Sequence, residues 1–407
     1  MNQPSTEHKL GDAALNPERS TLGRAEIASA LTMGTIALLV IGLQPILLGA
    51  MVEMHSASLE GVGIIAMAEI VALGLGVVLG DALLPLPRLR IIAIMAALFV
   101  SAIDVATIFA NGDVKLAVVR SVAGLGEGVL VWVTTCVIVR SQAPDRIAGI
   151  FLVMQTLAQA AVAAMLAGII VPRAGWHGGF IALAAISLLP CIIAVWLPAG
   201  VPPLAAQSFD KFRWSMTAAL PPTIALLQMA AIGALWAYLE LLGKRAGFDV
   251  RTAQAMTSAV LVMQVLGGTS ASLLVRRVGI LAALIVTGLV LGAIPFAMHV
   301  LSPGATTRFA VLCAAFGFAW LFLMPFHVSL AFLADPTGRV AMLIPAMQLL
   351  GSAIGPLVAS LLVSGNSVGS VPTVSLGFAT VAVVLLIFGR ARFRFSGEIG
   401  RNALAEE

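Results

Sequence analysis

Arg146-Ile-Ala-Gly-Ile-Phe-Leu-Val-Met-Gln155 aligns without a gap on Arg339-Val-Ala-Met-Leu-Ile-Pro-Ala-Met-Gln348. The shared register continues to Leu157/Leu350 and Ala160/Ala353. In each copy an Arg opens a long apolar segment, and a Met-Gln pair follows about two and a half turns later. A second correspondence supports the first. Gly80 precedes Arg88, and Gly268 precedes Arg276, by the same interval. Two widely spaced matches in one hydrophobic chain indicate duplication, as in membrane transporters built from related halves.

Composition agrees with a membrane setting. The chain has 407 residues, 60% hydrophobic and 10% charged. A soluble domain carries about 25% charged residues. So few charges do not cover a water-facing surface, whereas lipid makes no such demand. The formal charge of +4 is modest, and no basic stripe is interleaved with aromatics, so no nucleic-acid partner is expected. Cys136, Cys191 and Cys313 are scattered in apolar segments, which suits buried packing rather than a disulfide framework or a metal site.

Twelve apolar segments reach membrane-spanning length, where about 20 residues cross the hydrocarbon core. The expected organisation is a flexible tail over 1–26, six helices over 27–197, a linker over 198–215, six helices over 216–389 and a second tail over 390–407. Apart from Arg120, which lies inside a segment, sixteen of the 23 Lys and Arg residues fall on one side and six on the other. The positive-inside rule then places both termini in the cytoplasm. The N-terminus lacks the short apolar core of a signal peptide, so the tail is expected to be retained.

Four local motifs carry a family resemblance: Arg120-Ser-Val-Ala-Gly124-Leu-Gly126, Pro144-Asp145-Arg146, Gly175-Trp176-His177-Gly178-Gly179-Phe180 and Gly351-Ser-Ala-Ile-Gly355-Pro356. With the twelve segments and the repeat, the chain resembles the major facilitator superfamily over essentially its whole length. The resemblance implies an all-α integral membrane fold of 12 transmembrane helices in two pseudo-symmetric six-helix bundles. It also implies a central cavity lined by the first, fourth, seventh and tenth helices. The second, fifth, eighth and eleventh would form the interface between halves. The chain departs from the family pattern in two places. Arg88 and Arg90 come too late after Asp81 for the family's turn between the second and third helices. The Gly-x-x-x-Gly-Pro element of drug/proton antiporters stands in the eleventh helix, while the fifth has Ala158, Val162 and Ala163 at the equivalent positions.

Ionisable groups at membrane depth are costly and face a cavity or a partner. Arg120 and Glu127 are seven residues apart and therefore share a helix face. Arg120 suits a substrate carboxylate or phosphate, and Glu127 a cation or proton; the alternative is a structural pair tying the fourth helix to its neighbours. Glu69 is a second candidate for proton coupling, or else bonds a neighbouring helix. Asp104 reads as packing in a peripheral helix, and Glu240 as a rim ion pair near Lys244 and Arg245. Gln44, beside Pro45, Gln228, Trp236, Trp320 and His327 are candidate substrate contacts, with helix-to-helix bonding and packing as their alternatives. Gln155 and Gln348 read first as glue between the halves. Asp81, Arg88, Arg146, Asp335 and Arg339 are candidate gating charges at cytoplasmic turns.

No phosphate-binding loop, nucleophile elbow or zinc-ligand helix occurs, so neither a cofactor nor enzymatic activity is expected. The resulting expectation is a monomeric secondary active transporter in the plasma membrane, a bacterial inner membrane. It would move a small organic solute by alternating access with a proton as coupling ion, and Arg120 would favour an anionic substrate. The rival is efflux of amphipathic drugs by proton antiport; a receptor or a membrane enzyme is the alternative from another class.

Overall fold

The computed structural model describes residues 22–203, 215–275, 277–302, 304–335, 338–363 and 367–403. The tail expected over 1–26 and the linker expected over 198–215 lie largely outside these residues. The long helices are α1 (Arg24–Glu53), α2 (Leu59–Leu83), α3 (Leu86–Thr107), α4 (Asp113–Ile138), α5 (Pro144–Met165) and α6 (Val171–Ile186). They continue with α7 (Met216–Ala237), α8 (Val250–Leu274), α9 (Ile280–His299), α10 (Thr306–Ala334), α11 (Arg339–Leu362) and α12 (Val371–Ala403). α12 runs on past residue 389, where a tail was expected.

Eleven helices among the described residues are long and apolar enough to cross a membrane. One of them, Arg146–Trp196, runs through α5 and α6 for 51 residues. A straight helix of that length would extend about 77 Å, more than twice the hydrocarbon core of about 30 Å. It is not straight. Leu166–Ile170 is a π-helical turn, and Gly175 leaves the helix at φ 60°, ψ −162°. That conformation is essentially confined to glycine. The break leaves 146–174 and 176–196, each longer than one crossing needs, and the expected count of twelve rests on it.

Small residues set the helix packing in both halves, as they do where lipid removes the hydrophobic drive between helices. Gly76 of α2 meets Gly128 of α4, and Gly124 rests on the Glu69 carbonyl. The second half repeats the arrangement between α8 and α10, where Gly267 rests on the Phe318 carbonyl and Gly317 on that of Val260. The halves differ at the Gly-x-x-x-Gly-Pro element. Gly351 and Gly355 of α11 rest on the carbonyls of Leu226 and Ala230, so α7 and α11 pack backbone to backbone. α1 and α5, which carry larger residues at the equivalent positions, touch less extensively.

The seam between halves runs along α2 with α11 and α5 with α8. It is tight where α1 ends and α2 begins. There Gly63 abuts the Pro356 carbonyl, the Tyr238 hydroxyl donates to the Leu59 carbonyl at 3.0 Å, and Lys244 pairs with Glu53 at 3.1 Å.

Replacing Gly175 by Ala strains the backbone and pushes a methyl group into Met54. We expect Gly175→Ala to lower the thermal unfolding midpoint in detergent, by the equivalent of about 1–3 kcal/mol. An unchanged midpoint would show that the break does not depend on glycine.

Candidate functional site

Two polar assemblies lie between the helices. The first is built on α2, α3 and α4. Arg120 is only 1% exposed, at membrane depth, and a guanidinium keeps its charge there. All three of its nitrogens have acceptors. Nε donates to Glu69 at 2.6 Å, and Nη2 also pairs with Glu69. Nη1 donates to Asp104 at 2.6 Å and to the Thr107 hydroxyl at 3.4 Å. Nη2 reaches Glu127 at 3.1 Å. The Phe180 ring of α6 lies 4.8 Å from the guanidinium carbon, and Ser187 donates to Asp104 at 3.3 Å. The spacing of Arg120 and Glu127 on one face puts both into this cluster, while Gly124 and Gly128 let α2 approach closely enough to bring Glu69 in.

Arg120 therefore serves as a partner for three carboxylates rather than as a docking point for an anion. Its nitrogens are engaged by this cluster, and neither it nor Glu127 lines the central cavity. Three carboxylates against one guanidinium leave two negative charges in excess when all are ionised, and one Glu127 oxygen is buried without a hydrogen-bond partner. Asp104, whose peripheral helix suggests packing or an interfacial location, instead bonds Arg120 in the cluster. The signal that it belongs here is the polar spacing Ser101, Asp104, Thr107 along one face of α3.

The second assembly is a cavity of about 260 Å³ between the halves. Gln44, Gln155, Gln159, Gln264 and Gln348 line it, with Thr156, Ser352, Trp236 and Trp320. No charged side chain lines it among the described residues. Helix breaks supply part of its polarity. Pro45 has no N–H, so the Ile41 carbonyl one turn earlier lacks its helical donor. Trp236 Nε1 of the other half fills that place at 2.8 Å. α1 breaks again at Leu38, whose carbonyl accepts from Gln159 at 2.6 Å. Trp236 and Trp320 meet edge to face at 5.1 Å between centroids. The side-chain nitrogen of Gln264 is buried without a partner and is a donor available to a solute.

The two assemblies touch through Gln44, which lines the cavity and donates to Glu69 at 3.3 Å. On the opposite wall Gln348 donates to His327 Nδ1 at 3.0 Å, and His327 Nε2 meets Gln228 Oε1 at 2.7 Å. A neutral imidazole with its proton on Nε2 satisfies both bonds. His327 and Gln228 thus stand behind the cavity wall and reach it only through Gln348. Gln155 and Gln348, the matched glutamines of the repeat, both face the cavity.

The remaining candidates lie at the turns expected to be cytoplasmic, away from both assemblies. Asp81 accepts from Trp132 at 3.2 Å. Arg88 and Arg146 are exposed, and Asp335 accepts from the Val340 amide at 3.1 Å as α11 begins with Arg339.

A family model described as Major Facilitator Superfamily matches residues 27–356. No curated protein matches the chain in sequence. Among solved structures, a point mutant of the nucleoside transporter NupG is 14% identical with a TM-score of 0.71, over 90% of this chain and 99% of that one. A bacterial homologue of the human lysosomal transporter Spinster, inward-facing and unoccupied, is 14% identical with a TM-score of 0.60, over 94% and 98%. The xylose transporter XylE from E. coli, in a partially occluded inward-open conformation, is 13% identical with a TM-score of 0.63, over 90% and 99%. At these identities the likeness is one of fold.

Removing the guanidinium leaves three carboxylates facing each other away from water. Arg120→Ala should cost about 3–5 kcal/mol of stability, and Arg120→Lys should not restore it, because an ammonium has three donors for four acceptor groups. Glu127→Gln removes an excess charge and should stay within about 1 kcal/mol of the parent. Thermal unfolding of the purified proteins checks this order. A stable Arg120→Ala protein would contradict it.

Proposed function

The chain belongs to the Major Facilitator Superfamily, and we propose that it is a secondary active transporter for a small, uncharged, polar organic solute, with protons as the coupling ion. The observation that carries this reading is the uncharged cavity between the halves, walled by amides and indoles. Amide groups offer both donors and acceptors to hydroxyls, carbonyls and ring nitrogens. Indole faces suit a flat or C–H-rich surface. A buried anion would need a cation, and the one at this depth nearby, Arg120, is engaged by its own cluster. The nucleoside and xylose transporters among the structural neighbours handle solutes of the same uncharged, hydroxyl-rich kind.

The seam is closed where α1 meets α2, and the cavity lies on the other side of that closure. By the distribution of Lys and Arg, the closed face is external and the cavity belongs to an inward-facing state. Alternating access then requires the Lys244–Glu53 and Tyr238–Leu59 contacts to part. Proton coupling is assigned to Glu69, because it joins the overcharged cluster to Gln44 on the cavity wall. The protein would act as a monomer of the plasma membrane, with both termini cytoplasmic and twelve crossings.

Liposomes loaded with a pH-sensitive dye provide the test. Pentoses and nucleosides should drive a change in internal pH, and organic anions should not; a response to anions alone, or to cationic amphipathic drugs alone, would overturn the reading. Glu69→Gln should abolish the solute-driven pH change while exchange of labelled solute continues. Loss of both together would remove Glu69 from the coupling role. Trp236→Ala should raise the half-saturating concentration on the order of tenfold, the loss of one aromatic contact.

A further inference from the structure

Glu240 has no part in either assembly. It lies on a short helix, Leu239–Arg245, that continues α7 past a break at Tyr238. Its side chain is 0% exposed, and the Lys244 ammonium and the Gln254 amide of α8 stand beside its carboxylate without good hydrogen-bond geometry. Lys244 stands 3.3 Å away and also pairs with Glu53 of α1 at 3.1 Å. One ammonium thus serves two carboxylates. On its other side Glu240 presses on Gly49 of α1, where any larger residue would collide with the carboxylate. The carboxylate is therefore wedged into the closed seam. Water comes close without reaching it, through a cleft of about 670 Å³ lined by Glu53, Leu59 and Lys244.

A carboxylate sealed from water without hydrogen bonds is costly, and a carboxylic acid much less so. Closing this face over Glu240 is easier when the group carries a proton. Opening it returns the group to water. We propose that Glu240 is a proton-binding site at the seam, which takes a proton from the open external cleft and retains it when the halves close. The proton passes from water to a carboxylate oxygen of Glu240, and no other bond changes. This goes beyond coupling at Glu69: it assigns the step that commits the protein to face inward. It rests on the alternating-access reading.

Other charged or titratable groups face the same region. Glu53 comes from α1, Lys244 and Arg245 from the short helix, and Arg251 from α8. His55 and Glu60 line the cleft, and Tyr238 donates to Leu59. Of these, His55 is the histidine of the cleft and requires a control.

The test needs no solute. Spin labels at Asn111→Cys and Ser302→Cys, both exposed on this face, report the distance between halves in the full chain, with Cys136, Cys191 and Cys313 replaced by Ala. Double electron–electron resonance is recorded in nanodiscs from about pH 8.5 to about pH 5.5. The short-distance population should grow as pH falls, by up to about tenfold per pH unit, the limit for one linked proton. Glu240→Gln should hold the short distance at every pH, with Glu240→Ala as a second neutral variant, and His55→Gln should respond like the parent. A pH response that survives in both Glu240 variants, or disappears in His55→Gln, overturns the assignment. Two distances exchanging independently of pH would reject Glu240 alone. One fixed distance under all conditions would reject alternating access with it.

Discussion

A guanidinium that stays charged at membrane depth must have every N–H satisfied, and the first half of this protein is arranged around that requirement. Arg120 fixes where α2 and α3 stand relative to α4, because Glu69, Asp104 and Thr107 must all reach it. Phe180 and Ser187 bring α6 to the same point. The glycines of α2 and α4 follow from this, since only a close approach brings the Glu69 carboxylate to Nε. The second half has no buried guanidinium of this kind among the described residues. Its α7 and α11 are held by backbone contacts at Gly233, Gly351 and Gly355. The first half thus adds an ionic core to the close steric packing found in both halves.

The cavity follows from a related constraint. Lipid cannot bond a carbonyl released by proline or by a helix break, so another protein group must do so. Trp236 and Gln159 meet that need at Ile41 and Leu38. Both are thereby fixed at the wall of the space between the halves. The side chains that repair α1 and those that line the cavity are in part the same.

Much of this was legible in the chain. The Arg146/Arg339 repeat and the run of apolar segments sufficed for a duplicated helical membrane fold. The seven-residue spacing of Arg120 and Glu127 put them on one face, and Pro45 marked a freed carbonyl. What escaped was which polar groups meet. Asp104 lies on a helix whose placement is set by tertiary packing, so its bond to Arg120 has no local signature beyond the spacing with Ser101 and Thr107. The matched glutamines, Gln155 and Gln348, were placed at equivalent positions, but a helix-lining amide and a cavity-lining amide have the same local sequence. Glu240 reads as a rim ion pair with Lys244 or Arg245, and it does pair with Lys244, yet it lies fully buried. Its burial comes from Gly49, on the far side of the seam and in the other half of the chain.

The uncharged wall of the cavity also bears on how the membrane potential acts. A cavity without formal charge, carrying a neutral solute, moves no net charge across the membrane by itself. For such a cargo, each cycle is electrogenic only to the extent that protons are carried with it. A potential of 100 mV contributes about 2.3 kcal/mol for each elementary charge moved. On the proposed function, glutamines in place of lysines or carboxylates at this site would leave the electrical driving force to the coupling ion, and the current per solute would count protons.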